Sequence, residues 1–495
     1  MAAIVRSKRA CRAPSICPSA IPATTGDSQQ NLRPALTAAS SVCPRGRGLG
    51  GSSAINGMVY VRGHPEDFNT WQQMGALGWG YDDVLPYFKK AQGFVGATPD
   101  DAFRGASGPL RVTDGVMTNP LYQAFLRAAE QAGHSLRDDL NDDQQEGFGP
   151  LPMTVADGIR ASTGEVYLWP VRRRRNLTVL TGRQVAKIRF DENKKANGVE
   201  LVGSESPVGA RREVILCAGA IQSPHLLQLS GVGPGDLLQR LGIDVIADRG
   251  SVGANLMDHL EVYVQHACTQ PVSLLRHLGP VGRVRLGLQW LLRRDGLGAT
   301  NHFEAGGFIR SHERVAYPDI QFHFLPMAMT YDGRVQATEH GYQVHVGPMR
   351  SASRGHVHLR DAQPLRAPSI DFNYMAHDQD WLEFRAAIRA AREIFAQDAF
   401  GPLQGPELQP GPAQVSDDDL DDFVRANAES AYHPCGTCRM GSDAEAVVDP
   451  EGRVQGVAGL RVVDASIFPQ ITNGNLNAPT IMAAEKLADA ILQEP

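Results

Sequence analysis

The sequence predicts a globular α/β (α+β) protein of two or three domains, and three observations carry that expectation. A chain of 495 residues exceeds the size at which a single hydrophobic core usually stops growing. A hydrophobic content of 42% and a charged content of 21%, with 51 glycines, match a folded α/β protein better than a fibre or a disordered tail. Two strand-turn-helix units, one in the middle of the chain and one at its end, bracket a region rich in alternating strands.

Residues 1–42 differ in kind from the rest. They hold Pro14, Pro18, Pro22 and Pro34, many Ser and Ala, and Asp27 as their only acid, without core periodicity, so this leader is expected to be disordered. The glycine run Gly46, Gly48, Gly50, Gly51 follows, then apolar Met58 to Val61. Residues 213–220 read as a buried strand ending in a tight turn, with Ser223 and Pro224 opening a short helix from His225 to Leu229. Residues 319–324 alternate as a strand. Trp381, Phe384, Ile388, Ala391 and Phe395 recur at three- and four-residue spacing, the pattern of a helix with one buried face. Residues 460–464 form another short strand, and Pro479 stands in the first turn of a closing helix from Thr480 to Leu492, where a missing backbone donor costs nothing. These changes divide the chain at 1–42, 43–260, 261–430 and 431–495.

Composition excludes several function classes. Net charge is −6, and the only basic run, Arg172 to Arg175, reads as a solvated loop or helix end, so no nucleic-acid footprint exists. No apolar stretch has the ~18 residues needed to span a bilayer, leaving peripheral membrane contact at most. Seven cysteines make no disulfide framework and point to a reducing compartment, the cytoplasm. Cys435 and Cys438 form Cys-x-x-Cys, but no second pair completes a zinc site, and no metal is expected.

Gly46, Gly48 and Gly51 satisfy G-x-G-x-x-G, the spacing that brings a helix N-terminus to a pyrophosphate. The residues before them lack the hydrophobic strand that motif requires, so we reject it as a nucleotide turn.

Longer motifs are more specific. Residues 44–63 (PRGRGLGGSSAINGMVYVRG), 219–233 (GAIQSPHLLQLSGVG), 252–259 (VGANLMDH), 433–441 (HPCGTCRMG), 460–466 (LRVVDAS) and 474–480 (GNLNAPT) resemble, in order, the signatures of the glucose-methanol-choline (GMC) oxidoreductases. Residues 301–310, 320–326 and 433–438 are similar to the versions carried by the choline-oxidising members. The resemblance implies a Rossmann-like FAD-binding domain and a substrate-binding domain on a mixed or antiparallel sheet. It implies hydride transfer from a primary alcohol to FAD, with choline oxidised to betaine aldehyde and then glycine betaine, and with a quinone or other electron acceptor.

By the same resemblance, His433 is the catalytic acid/base, suited by an ordinary pKa near 6.5, and Asn477 its partner. Gly50, Ser52, Asn56, Gly57, Val185, Ala218, Gly219, Asp464, Ala465 and Pro479 are the expected cofactor contacts. Glu304 is the candidate carboxylate for a trimethylammonium group and Tyr432 an aromatic wall for it. His340 is a further candidate for that pocket. Ile55 stands where choline oxidases carry a flavin-linked histidine, so FAD is expected to be non-covalent. One departure qualifies all of this: the family's opening strand, G-x-G-x-x-G turn and helix have no counterpart, and residues 1–42 stand in their place, as in a truncated or misassembled coding sequence. Two other readings therefore stay open, a GMC dehydrogenase for another aliphatic or aromatic alcohol and a non-catalytic homologue unable to hold FAD.

Overall fold

A computed structural model of the chain describes residues 25–31, 42–329 and 339–494, with backbone alone for 25–31 and 42. In chain order, the elements that build the site are β1 (Thr25–Asn31), β2 (Val42–Gly46), β3 (Val214–Leu216), α1 (Gly219–Leu229), β4 (Leu260–Cys268), α2 (Pro280–Arg293), β5 (Ala305–Ile309), β6 (Ile320–Leu325), β7 (Gly341–Pro348), α3 (Asp378–Phe395), β8 (Gln404–Gln409), β9 (Leu460–Val462) and α4 (Asn477–Gln493).

The dominant layer is a seven-stranded sheet in which β8, β4, β7, β6, β5 and Gly147–Pro150 lie side by side, every neighbouring pair antiparallel. Strands β4, β6 and β7 are buried on both faces, and the two faces differ in chemistry. Val262, Val264, Phe322, Phe324, Val344 and Val346 point one way, into a core that includes Phe384, Ile388, Ala391 and Phe395 of α3. Phe125 stacks on Phe324 there with ring centroids 4.5 Å apart. Glu261, Gln265, His323, Gln343 and His345 occupy the alternate positions and point the other way. A strand that buries polar groups on one face must find them partners, and this face becomes the site.

A second core joins the remaining elements around Trp71, Trp79, Leu227, Val462 and Met482. Here β3 and β9 pair in parallel, Val214 opposite Leu460, and each is followed by a helix, α1 and α4. The expected start of the first helix at His225 is corrected to Gly219. Pro224 lies inside this helix and has no N–H to give the carbonyl of Ala220. The hydroxyl of Thr437 donates to that carbonyl at 2.6 Å instead, so the proline marks where a distant segment is fastened rather than where the helix begins. Trp381, at the opening of α3, is half-buried under the guanidinium of Arg425 at 4.7 Å, while the other four predicted positions are sealed.

The leader requires a second correction. Thr25–Asn31 is a strand, antiparallel to β2 and parallel to Ser369–Asp371, so a structureless reading does not hold for those seven residues. Residues 1–24 and 32–41 lie outside the described ones. The rejection of Gly46, Gly48 and Gly51 as a nucleotide turn stands: β2 belongs to an antiparallel pair and is followed by a short 3-10 helix, Gly51–Ala54. Arg173 to Arg175 are exposed at the end of Trp169–Val171, as expected.

His302 is a buried cost. Neither ring nitrogen has a hydrogen-bond partner, and burial pulls its pKa down to about 4. The folded state therefore holds it neutral while the unfolded chain takes up a proton below about 6.5, and stability drains away as pH falls from there towards 4. Its backbone has a positive φ of 65°, which asparagine also tolerates. The variant His302→Asn should give a stability-versus-pH curve shallower by up to about 1.4 kcal/mol per pH unit in that window, measured by urea denaturation at successive pH values.

Candidate active site

His433 ends a turn organised by one carboxylate. Asp258 Oδ1 accepts from the backbone N–H of His433 at 2.6 Å and of His259 at 3.0 Å. Its Oδ2 accepts from the hydroxyls of Ser430 at 2.5 Å and Tyr374 at 2.6 Å. Burial pushes the Asp258 pKa up against the effect of these bonds. Tyr432, between Ser430 and His433, has a positive φ of 63°, and its carbonyl accepts from Arg45 Nη1 at 3.3 Å. A non-glycine residue in the left-handed region needs its surroundings to hold it there, and Asp258 and Arg45 do so.

The tautomer of His433 follows from its neighbours. His259 Nε2 lies 2.9 Å from the carbonyl of Met349, which can only accept, so Nε2 carries the proton. Burial pulls His259 down to about 4, leaving the ring neutral near pH 7 with a lone pair on Nδ1. That lone pair lies 3.0 Å from His433 Nδ1, which must therefore donate. Burial, then His259, His323 and Arg45, lower the His433 pKa well below its ordinary value. A neutral His433 with its proton on Nδ1 has a bare Nε2. Toward that nitrogen points the amide N–H of Asn475 at 3.2 Å. The orientation of this amide is set in turn, because Asn475 Oδ1 lies 3.1 Å from His323 Nε2 and 3.4 Å from Gln321 Nε2.

His323 brings in the polar face of the sheet. Across the ladder Gly306, His323, His345 and Tyr263 are direct neighbours on β5, β6, β7 and β4. His345 Nδ1 meets Glu261 Oε1 at 2.7 Å and its Nε2 meets Gln343 at 2.6 Å. The Phe303 ring lies edge-on to His323 and His345, 6.0 and 5.3 Å from their centroids. The result is a cluster with one imidazole whose Nε2 is unprotonated, one amide donor and aromatic edges.

The expected partner of His433 is therefore corrected from Asn477 to Asn475. Asn475 stands in the turn before α4, whereas Asn477 is the first residue of that helix, and side chains two apart on a helical path do not share a direction. Glu304 is not the exposed residue an isolated Glu usually is. It is 4% exposed, with Oε1 accepting from Thr300 Oγ1 at 2.7 Å and Oε2 from the backbone N–H of Met117. No arginine, lysine or histidine among the described residues pairs with it. Phe303, rather than Glu304, faces the histidines. His340 makes its contact with Ser273 at 2.7 Å. Cys435 and Cys438 are fully buried, and burial pushes both thiols up, so neither is a thiolate suited to redox exchange.

His259, Asp258, His323, Glu261 and Asn475 escaped the sequence reading. Two signals existed: the Asp258-His259 pair closes a recognised motif, and Gln321, His323, Gln343 and His345 recur at period two in otherwise apolar strands.

The predicted cofactor contacts gather around the two parallel strands and the glycine run. Asp464, after β9, accepts at Oδ2 from the Gly219 N–H at 2.8 Å and the Ser223 hydroxyl at 2.5 Å, and at Oδ1 from the Ser466 N–H at 2.8 Å. The Ala218 N–H reaches Ser223 Oγ at 3.2 Å, and the Ala465 carbonyl accepts from Gly436 at 3.1 Å. Gly219 has a φ of +81°, and a Cβ added there or at Gly57 would meet no atom within 4 Å. The space in front of both is open, with backbone free to approach a ligand. Gly50 has a φ of +89° at the head of the 3-10 helix, and the exposed Ser52 hydroxyl accepts from the Gly46 N–H at 3.2 Å. Asn56 Oδ1 accepts from Arg160 Nη1 at 2.8 Å. Val185 and Pro479 are buried, the latter in the first turn of α4. Gly57 and Gly219 are thus the positions at which a dinucleotide would find room against the backbone.

Family models for the GMC oxidoreductases match residues 25–261 and 351–484. The chain belongs to the GMC oxidoreductase family. It is 53% identical over 463 residues to the oxygen-dependent choline dehydrogenase of Brucella canis, covering 93% of this chain and 84% of that one. Against the protein of the same name from Photobacterium profundum it is 51% identical over 456 residues, covering 91% and 80%. Among solved structures it is similar to pyridoxine 4-oxidase of Mesorbium loti, with a TM-score of 0.85 and 29% identity over 95% of this chain and 89% of that one. It is also similar to a formate oxidase of Aspergillus oryzae investigated for FAD modification, with a TM-score of 0.87 and 26% identity over 94% and 87%. Family and structural neighbours indicate FAD as the cofactor of this GMC enzyme. Among the described residues no helix is long and apolar enough to cross a membrane, and no cluster of three His, Cys, Asp or Glu is arranged to hold a metal ion.

Replacing Asn475 with Ala should lower kcat far more than Asn477→Ala, because only the former amide reaches Nε2; steady-state kinetics of the pair checks this. In His259→Leu, His433 loses both the partner that sets its tautomer and a neighbour that depresses its pKa. We expect kcat to fall at least about tenfold and the acidic limb of the rate profile, below pH 6.5 in the parent, to move to higher pH. An unshifted limb would remove His259 from this arrangement.

Proposed function

We propose that this GMC enzyme oxidises choline to betaine aldehyde, and the hydrate that this aldehyde forms with water on to glycine betaine, with His433 as the base that takes the hydroxyl proton in each step. The observation that carries the alcohol chemistry is the bare Nε2 of His433 set beside the amide donor of Asn475. The alcohol oxygen accepts from Asn475 and gives its proton to His433, so the departing hydride leaves a carbonyl carbon behind. A neutral, buried His433 can accept this proton without first having to lose one of its own. FAD, when bound, supplies the hydride acceptor.

We assign Gly50, Ser52, Asn56, Gly57, Val185, Ala218, Gly219, Asp464, Ala465 and Pro479 to holding FAD. The attachment is non-covalent, because position 55 is isoleucine. Acid precipitation of the purified protein should release all flavin absorbance into the supernatant; a yellow pellet would contradict this. Asp464→Ala removes a carboxylate that anchors three donors. It should cost about 2 to 3 kcal/mol of stability and reduce the flavin-to-protein ratio, read by absorbance.

The cationic substrate is supported by Glu304, a buried carboxylate that no basic side chain among the described residues neutralises. A buried charge left unpaired is expensive, and a quaternary ammonium ligand would balance it. The names of the Brucella and Photobacterium relatives point the same way. Tyr432 supplies an aromatic wall next to His433. Glu304→Gln should raise KM for choline at least about tenfold while leaving that for dimethylbutanol, its uncharged isostere, near the parent value. Equal effects on both would transfer the enzyme to neutral alcohols. Electrons pass on to a quinone or another acceptor, oxygen included, and oxygen uptake measured against reduction of a quinone analogue decides which.

A further inference from the structure

Helix α2 behaves unlike the other long helices. None of its 14 residues is buried. Val281 is 83% exposed and Leu292 78%, and Val284, Leu288 and Leu291 are each more than half exposed. At about 100° per residue these five side chains fall within an arc of roughly 100°, one continuous stripe along the helix. Single exposed apolar residues are ordinary, but a stripe of five on one helix marks a surface that meets something apolar.

The opposite side of α2 is fastened. Trp290 Nε1 donates to the carbonyl of Gly158 at 2.6 Å and Arg283 Nε to that of Leu278 at 2.7 Å. Just before the helix, Leu274 and Leu278 pack with Leu325 and Met327. The stripe is therefore presented on a fixed support.

Its charge identifies the partner. The helix contains Arg283, Arg285 and Arg293 and no acid, and Arg276 lies one turn ahead of it. None of these four arginines pairs with a carboxylate among the described residues. Arg285 borders the stripe beside Leu292. His277 senses the local field: burial first, then Arg276 and Arg285, lower its pKa. A second copy of this chain docked stripe to stripe would bring like charges together, which an interface disfavours. An anionic lipid surface has both the apolar depth and the opposite charge.

We propose that α2 lies in the headgroup plane of an anionic membrane, its Val281, Val284, Leu288, Leu291 and Leu292 side chains in the acyl boundary and its arginines on lipid phosphates. The assignment is independent of which alcohol the enzyme oxidises. It is tested by sedimenting the full-length, FAD-loaded protein with phosphatidylcholine vesicles that contain or lack phosphatidylglycerol, at low and high salt, with its mass in lipid-free solution measured by light scattering. The expected result is binding to the anionic vesicles alone, weakened by salt, at least about tenfold weaker in Leu288→Asp and about fivefold weaker in Arg285→Gln, with turnover of both variants unchanged. Absence of binding, equal binding to both kinds of vesicle, or a mass of two chains that Leu288→Asp returns to one would each overturn it.

Discussion

The carbonyl of Met349 accepts a hydrogen bond from the Nε2–H of His259, and the chemistry of the site depends on that one bond. It forces the proton of His259 onto Nε2, turns its Nδ1 into an acceptor and so places the proton of His433 on Nδ1. Without it His433 would be free to present an N–H where a base is required. The bond is reliable because it lies in low dielectric, where a backbone carbonyl left without a donor would be costly. Burial also keeps both rings neutral, so the same desolvation that fixes the tautomer prevents the protonation that would abolish it.

The large sheet provides the surroundings by having two buried faces of opposite character. Apolar side chains on β4, β6 and β7 pack against α3, and that packing fixes the register of the strands. Register then decides which polar side chains stand opposite one another, since a slip of one residue would exchange the faces. His323 reaches Asn475, and His345 reaches Glu261 and Gln343, because the phenylalanines and valines between them are sealed on the other side. The apolar core thus acts on the site as a positional constraint.

Distant parts of the chain are stitched together by side chains that take over backbone duties. Thr437 supplies the donor that Pro224 lacks, and Asp464 accepts from the Gly219 N–H and the Ser223 hydroxyl at the head of α1. These bonds lock the segment with His433 to the helix that follows β3, so the proposed base and the proposed cofactor contacts cannot move independently. The site is built from residues more than 200 positions apart in sequence, and its integrity depends on the whole fold.

Much of this was open to a reader of the sequence. Fold class, the motif around His433, the closing helix with its early proline and the amphipathic period of α3 all depend on short-range rules, in which a residue and its neighbours within a turn or two decide the outcome. The choice of Asn475 over Asn477 was not, because both amides lie in one motif and only the point at which α4 begins determines which of them faces His433. Glu304 was a candidate only through the family resemblance, and its burial without a basic partner among the described residues is a property of the sheet and of the loop that closes on it. The tautomer of His433 was least legible of all: it is set by His259 and Met349, 174 and 84 residues away, and no local pattern encodes a relation that exists only when three strands and a turn converge. Sequence by itself determined which chemistry the chain carries; tertiary structure decided which nitrogen carries the proton, because burial and hydrogen-bond direction arise from packing between segments that are remote in the chain.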